Sequence, residues 1–228
     1  MNSRTLLAAA LFISFPAQAD FLGAVDGRVA NLGESAQISV EANYNSMDMD
    51  GVKSTWTGVR GNYKYSENIV VFADAVQLEL KSVPILNLGV DHEGTGFGGG
   101  VIYQVPDLLD GFNTSLKATY HSIQADDTVD LLVNDVARES QVKFTSMAAK
   151  MLVSPLERMN NGGTWYASAG FTKVTTDVVL FVDGKDDASG FTAGAGFVMP
   201  LSLGEVYGGA EYIEGNSQLG AGFRYSFD

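Results

Sequence analysis

QLGAGFRYSF, residues 218–227, is the stretch from which the fold of this chain is read. Leu219, Ala221, Phe223, Tyr225 and Phe227 fall on one face, and Gln218, Gly220, Gly222, Arg224 and Ser226 on the other. Strict two-residue alternation is the period of a β-strand, whose successive side chains point to opposite sides of the sheet. Two environments satisfy such a strand. In a soluble sandwich or lipocalin-like barrel the apolar face turns to a core; in a barrel set in lipid it turns outward and the polar face lines the lumen.

Working backwards from this strand, the same period recurs. Val206, Gly208, Ala210 and Tyr212 oppose Glu205, Tyr207, Gly209 and Glu211, and Phe191 to Met199 alternates likewise. Phe112 to Tyr120, Phe97 to Tyr103, Thr55 to Tyr65 and Ala36 to Tyr44 behave the same way. Residues 164–174 place Trp165, Ala167, Ala169 and Phe171 on one face, and 141–152 put Lys143 and Lys150 on opposite faces, so one of the two lies near an interface. Around 68–81 the alternation breaks between Asp74 and Gln77, which predicts a bulge or a strand running beyond the membrane. The expectation is an all-β chain: a single antiparallel, up-and-down transmembrane barrel of about ten strands, with eight or twelve as the alternatives.

Connections follow from that count. With the N-terminus in the periplasm, inner turns fall near Ser66-Glu67, Pro106 to Gly111, Pro155 to Gly163 and Pro200 to Gly204. Outer loops fall at 45–53, 82–94, 126–140, 175–188 and 213–217, and are the longer set, as bacterial barrels have it. Aromatic residues gather in two girdles. Tyr63, Tyr65, Tyr103, Phe112, Trp165, Tyr225 and Phe227 mark the inner one, and Tyr44, Tyr120, Phe144, Phe171, Phe191 and Tyr212 the outer.

Composition narrows the setting. Arg4, the apolar run Leu6 to Phe15 and Ala17-Gln18-Ala19 have the form of a secretory signal, so residues 1–19 are expected to be removed after Ala19 and 20–228 to form the barrel domain. Beyond residue 19 no window of eighteen apolar residues occurs, so any membrane crossing is made by strands. Thirteen basic residues stand there against twenty-seven acidic ones, without Lys/Arg clusters, which argues against nucleic acid as a partner. There is no cysteine, so pairing and packing alone hold the chain.

Taken together, Ala17-Gln18-Ala19, the alternating strands and the closing run Leu219 to Phe227 resemble the small outer-membrane barrels of Gram-negative bacteria, the OmpA-type and OmpX-like class. The resemblance is architectural and names no subfamily. It implies location in the outer membrane, contact with membrane lipid and lipopolysaccharide, and recognition of the last strand by the assembly machinery. Asp228 after Phe227 departs by one residue from the terminal aromatic of that class. A monomer is the default.

Chemistry-bearing residues are sparse. Glu41, Arg60, Lys117, Glu211 and Arg224, with Asp74, are expected in the lumen, either pairing with one another or lining a pore. Lumen glycines at 96, 98, 100, 194, 196, 220 and 222 remove bulk that Trp56, Tyr166 and Tyr207 could refill. Asp126, Asp127, Asp130, Asp183, Asp186 and Asp187 in the outer loops are candidate ligands for divalent cations bridging to lipopolysaccharide phosphates, against the plainer reading of solvated acids. His92, between Asp91 and Glu93, reads as a solvated loop histidine. His121 faces the lumen while Ser122 faces lipid, so those neighbours do not form a nucleophile–base pair. No convergent catalytic set is visible, and neither an enzyme nor a cofactor is expected. The function expected is structural or surface-interacting, with a narrow channel for small, cationic solutes as the alternative and an outer-membrane enzyme third.

Overall fold

The computed structural model describes residues 36–49, 52–85, 88–129, 138–179, 183–213 and 216–227. These residues form ten strands: β1 Ile38–Met49, β2 Val52–Ser66, β3 Ile69–Ile85, β4 Leu88–Leu109, β5 Phe112–Val129, β6 Arg138–Pro155, β7 Thr164–Val179, β8 Asp183–Leu201, β9 Gly204–Ile213 and β10 Asn216–Phe227. Each is antiparallel to its sequence neighbours, and β10 pairs with β1 to close the barrel. The closing register joins Ile38 to Phe227 and Glu41 to Arg224, so the strand that announced the fold is the one that seals it.

Closure fixes the stagger. A lateral row that starts at Phe197 on β8 passes through Gly208, Ala221, Tyr44, Thr57, Gln77, Thr95, Gln124, Lys143 and Asp177. It returns to β8 at Lys185, twelve residues along the strand from its start. A stagger of that size over ten strands tilts them by roughly 40°, and a barrel of this width is filled by side chains.

Inner turns fall where the sequence put them, at 67–68, 110–111, 156–163 and 202–203. Gly111 (φ 81°) supplies the left-handed backbone that a tight turn there requires. The outer connections differ from expectation: most of the residues read as long loops are strand. Met47 pairs with Ser54, Glu93 with Asp126, and Thr175 with Asp187. Val178 and Val179, inside the stretch read as an outer loop, extend β7, and residues 180–182 lie outside the described residues.

β3 shows what the strands do beyond the belt. No bulge interrupts it between Asp74 and Gln77; Val70, Phe72, Asp74, Val76, Leu78 and Leu80 all point inward, and Ala75, Gln77 and Lys81 outward. The register shift lies further on, between Leu80 and Val83. The supposed break is a change of medium. Low on the strand the outward face is Val71, Ala73 and Ala75; higher up it becomes Gln77, Glu79 and Lys81, while Val76, Leu78 and Leu80 stay inside.

The outer half of the barrel follows the same inversion. Leu78, Leu80, Ile123, Val142, Phe144 and Ile213 are buried inside it. Phe144 therefore does not belong to the outer girdle, a correction to the sequence reading: it points inward at 5 % exposure. Tyr44, Tyr120, Phe171, Phe191 and Tyr212 do face outward, with Phe171 and Phe191 in an edge-to-face contact at 6.2 Å. The inner aromatic set is outward throughout, and Phe112 and Trp165 meet edge-to-face at 6.0 Å.

Candidate functional site

The lumen residues come from the polar faces of the alternating strands, and five charged ones meet in one lateral row. Glu205 on β9 registers with Arg224 on β10, Arg224 with Glu41 on β1, Glu41 with Arg60 on β2, and Arg60 with Asp74 on β3. The row continues through Gly98 to His121 and Ser146. Charge alternates along its first five members, so each ion has an opposite neighbour on an adjoining strand, the favourable arrangement for cross-strand pairs.

Hydrogen bonds turn that row into a network. Glu41 Oε1 accepts from Arg224 Nε at 2.9 Å and from Asn62 Nδ2 at 2.8 Å, while its Oε2 accepts from the Tyr207 hydroxyl at 3.1 Å. Arg224 also donates to Glu205 at 2.8 Å. Arg60 donates to both Asp74 oxygens, at 2.6 and 3.2 Å, and its guanidinium lies 4.2 Å from the centre of the Phe72 ring. His121 Nε2 lies 2.8 Å from Asp74 Oδ2, and Lys117 Nζ is 5.6 Å from the Phe72 ring centre. A second centre crosses the lumen: Lys150 on β6 donates to Glu211 on β9 at 2.5 Å.

Glu41, Arg60, Asp74, Lys117, Glu211 and Arg224 are all buried inside the barrel, each with a side-chain partner. Two others went unassigned in the sequence. Lys150 is Glu211's partner, and the alternation of Met147, Ala149 and Met151 on the outward face already implied that Lys150 points in, leaving Lys143 outside. Glu205, at the start of β9, completes the Arg224 site. Counting Glu41, Asp74, Glu205 and Glu211 against Arg60, Lys117, Lys150 and Arg224, the charges of these groups balance.

Several glycines make room for these rings. A Cβ at Gly98 would fall on the His121 imidazole, at Gly100 on Phe72, at Gly196 on Tyr166, and at Gly222 on Tyr207. The glycines therefore mark where a ring lies flat against the wall; they do not open a path. Arg60, Leu78, Ile102, Ile123, His121 and Gln218 are among the largest fully buried side chains, spread over both halves of the barrel. Between Lys150, Tyr166, Ser168 and Glu211 there is a cavity of about 10 Å³, room for a single water.

His121, Asp74 and Ser146 bring together the residue types of a hydrolytic triad. All three are buried inside the packed lumen, where a nucleophile has no approach to a substrate. His92 sits within β4, registered with Leu80, and not in a loop.

The acidic positions divide. Asp126 and Asp127 lie on β5, opposite Gln141 and Ser140; Asp183, Asp186 and Asp187 lie on β8, opposite Val179, Thr176 and Thr175. Asp130 is outside the described residues. Three strand spacings, roughly 14 Å, separate β5 from β8. Asp187 accepts from Thr175 Oγ1 at 2.5 Å and from Lys173 Nζ at 3.3 Å. Among the described residues no group of three or more acids and histidines is gathered to hold a metal ion.

An apolar outward belt between aromatic girdles, around a polar, charge-paired lumen, defines the class: a closed ten-stranded barrel of the outer-membrane type. Comparison with solved structures agrees on the fold. The β domain of the Bordetella autotransporter BrkA superposes with a TM-score of 0.50 at 11% identity, covering 85% of this chain and all of that one. Ail, the attachment invasion locus protein of Yersinia pestis, covers 82% of this chain and 96% of its own at 14% identity (TM-score 0.39), and the outer membrane protease OmpT of Escherichia coli covers 84% and 94% at 8% identity (TM-score 0.39). No family model and no curated relative matches the chain. At these identities the likeness is one of fold alone.

Proposed function

We propose that this protein is an integral outer-membrane barrel without enzymatic activity, whose lumen does not conduct and whose role is structural or surface-interacting. The observation that carries the reading is the filled lumen: paired ions across the middle, with an apolar plug of Leu78, Leu80, Ile123 and Phe144 above them. A hydrated ion entering from outside would first meet side chains that cannot replace its water. The belt contacts lipid and, at its outer edge, lipopolysaccharide, while the closing strand β10 is the segment read by the assembly machinery. Strands that rise beyond the belt with a polar exterior present a rigid surface to the outside.

Planar-bilayer recording on the refolded protein, its folded state established by heat-modifiable gel migration, tests this. Silence is expected. Regular conductance steps from folded protein would overturn the reading in favour of a narrow channel, and the lumen ions would then be the selectivity groups.

A further inference from the structure

The periplasmic rim carries an apolar surface that the lipid belt does not account for. Leu108 and Leu109 at the end of β4, Leu156 and Met159 in the β6–β7 turn, and Leu201 and Leu203 in the β8–β9 turn are all exposed, Leu156 at 60 % and Leu203 at 72 %. The three turns touch. Leu156 N donates to Gly111 O at 3.1 Å, and Gly162 lies against the Pro200 ring. The patch is interleaved with Asp107, Asp110, Glu157 and Arg158, and Leu108 and Leu156 lie beyond the aromatic residue Phe112, which registers with Leu109 and Pro155. Charged turns of this kind belong at or below the headgroup level, where exposed leucines are costly in water.

One segment of the chain is long enough to reach them. Residues 20–35 precede β1, and β1 begins at this same rim: Ile38 registers with Tyr63 and Phe227, and Lys64 N donates to Gln37 O at 2.9 Å. The segment holds Phe21, Leu22, Val25, Val29 and Leu32, an apolar residue at almost every third or fourth position, with Asp26 and Arg28 between them and Asp20 and Glu34 on either side. Sixteen residues reach up to about 50 Å when extended. Ten tilted strands make a mouth roughly 20 Å across, so the segment spans it easily.

We infer that the apolar side chains of residues 20–34 dock on the exposed Leu156–Met159–Leu203 rim. The inference rests on the membrane-barrel reading only in placing that rim in water. It requires no particular conformation of the segment, only that Val25 and Val29 come within side-chain reach of the rim.

The chain's lack of cysteine makes the test direct. Val25→Cys or Val29→Cys is combined with Met159→Cys or Leu203→Cys, and each double variant is refolded, checked for heat-modifiable migration, and oxidised. Gly61→Cys replaces the rim cysteine as control, because Gly61 faces outward and a Cβ there meets nothing within 4 Å. Docking predicts disulfide formation in at least one rim pair, well above the Gly61 control. It also predicts that deleting 20–34 raises maleimide labelling of Leu203→Cys severalfold. Folded barrels in which no rim pair exceeds the control would overturn the inference. So would labelling of Leu203→Cys that is equally slow with and without the segment, since lipid would then be what covers the rim. Neither failure touches the sealed-lumen reading, which conductance and gel migration report separately.

Discussion

Replacing Glu211 by Ala removes the buried carboxylate to which Lys150 donates across the lumen. The two groups meet across the lumen at 2.5 Å, with side chains only 5 % and 7 % exposed, so solvent offers the ammonium little relief once its carboxylate is gone. Breaking a buried pair from one side costs about 3–5 kcal/mol, most of it the desolvation of the charge left buried with one partner fewer. Lys150→Met should cost a similar amount by leaving Glu211 alone. The double variant Lys150→Met/Glu211→Met removes both charges and refills the volume, and is expected within about 1–2 kcal/mol of wild type, on either side of it. The assay is reversible urea unfolding of lipid-refolded protein, read by fluorescence and by gel migration, with all four corners of the cycle measured. If each single substitution cost less than about 1 kcal/mol, the pair would be behaving like an exposed surface bridge, and the reasoning that the lumen is closed to bulk solvent there would fail.

Other consequences are as specific. Leu78→Ala should destabilise by about 2–5 kcal/mol, whereas Gln77→Leu on the opposite face should stay within about 0.5 kcal/mol, as the same unfolding assay would show. Gly222→Ala drives a methyl into the Tyr207 ring and should cost about 1–3 kcal/mol, while Gly61→Ala, with nothing within 4 Å, should be close to neutral. The two tryptophans report opposite faces: brominated acyl chains should quench Trp165 in Trp56→Phe protein and leave Trp56 largely unquenched in Trp165→Phe protein.

Much of this barrel is written in nearest-neighbour alternation. Within the belt, the outward residues of β10, β1 and β2 such as Leu219, Phe223, Val40, Tyr44 and Val59 differ in polarity from the inward ones beside them, because lipid outside and paired polar groups inside demand opposite chemistry at successive positions. That is why the ten strands, the inner turns and the lumen positions of Glu41, Arg60, Lys117, Glu211 and Arg224 could be read without coordinates. The alternation became misleading where the strands leave the belt. In β3 the outward face changes from apolar to polar between Ala75 and Gln77 while Val76, Leu78 and Leu80 are buried inside, and a pattern that assigns apolar to outside reads this as a break. Phe144 was misplaced for the same reason.

The sequence by itself determined which elements form and which face each side chain takes within the belt, since both depend on residues one and two apart. Only the tertiary structure decided that Lys150 reaches Glu211, that Asp74 serves both Arg60 and His121, and that a ring lies over each of four lumen glycines. Those contacts join residues on adjacent or distant strands at heights set by the twelve-residue stagger of the closed barrel. Stagger is a property of the whole hydrogen-bonded ring, fixed when β10 finds β1, and no local run of residues carries it.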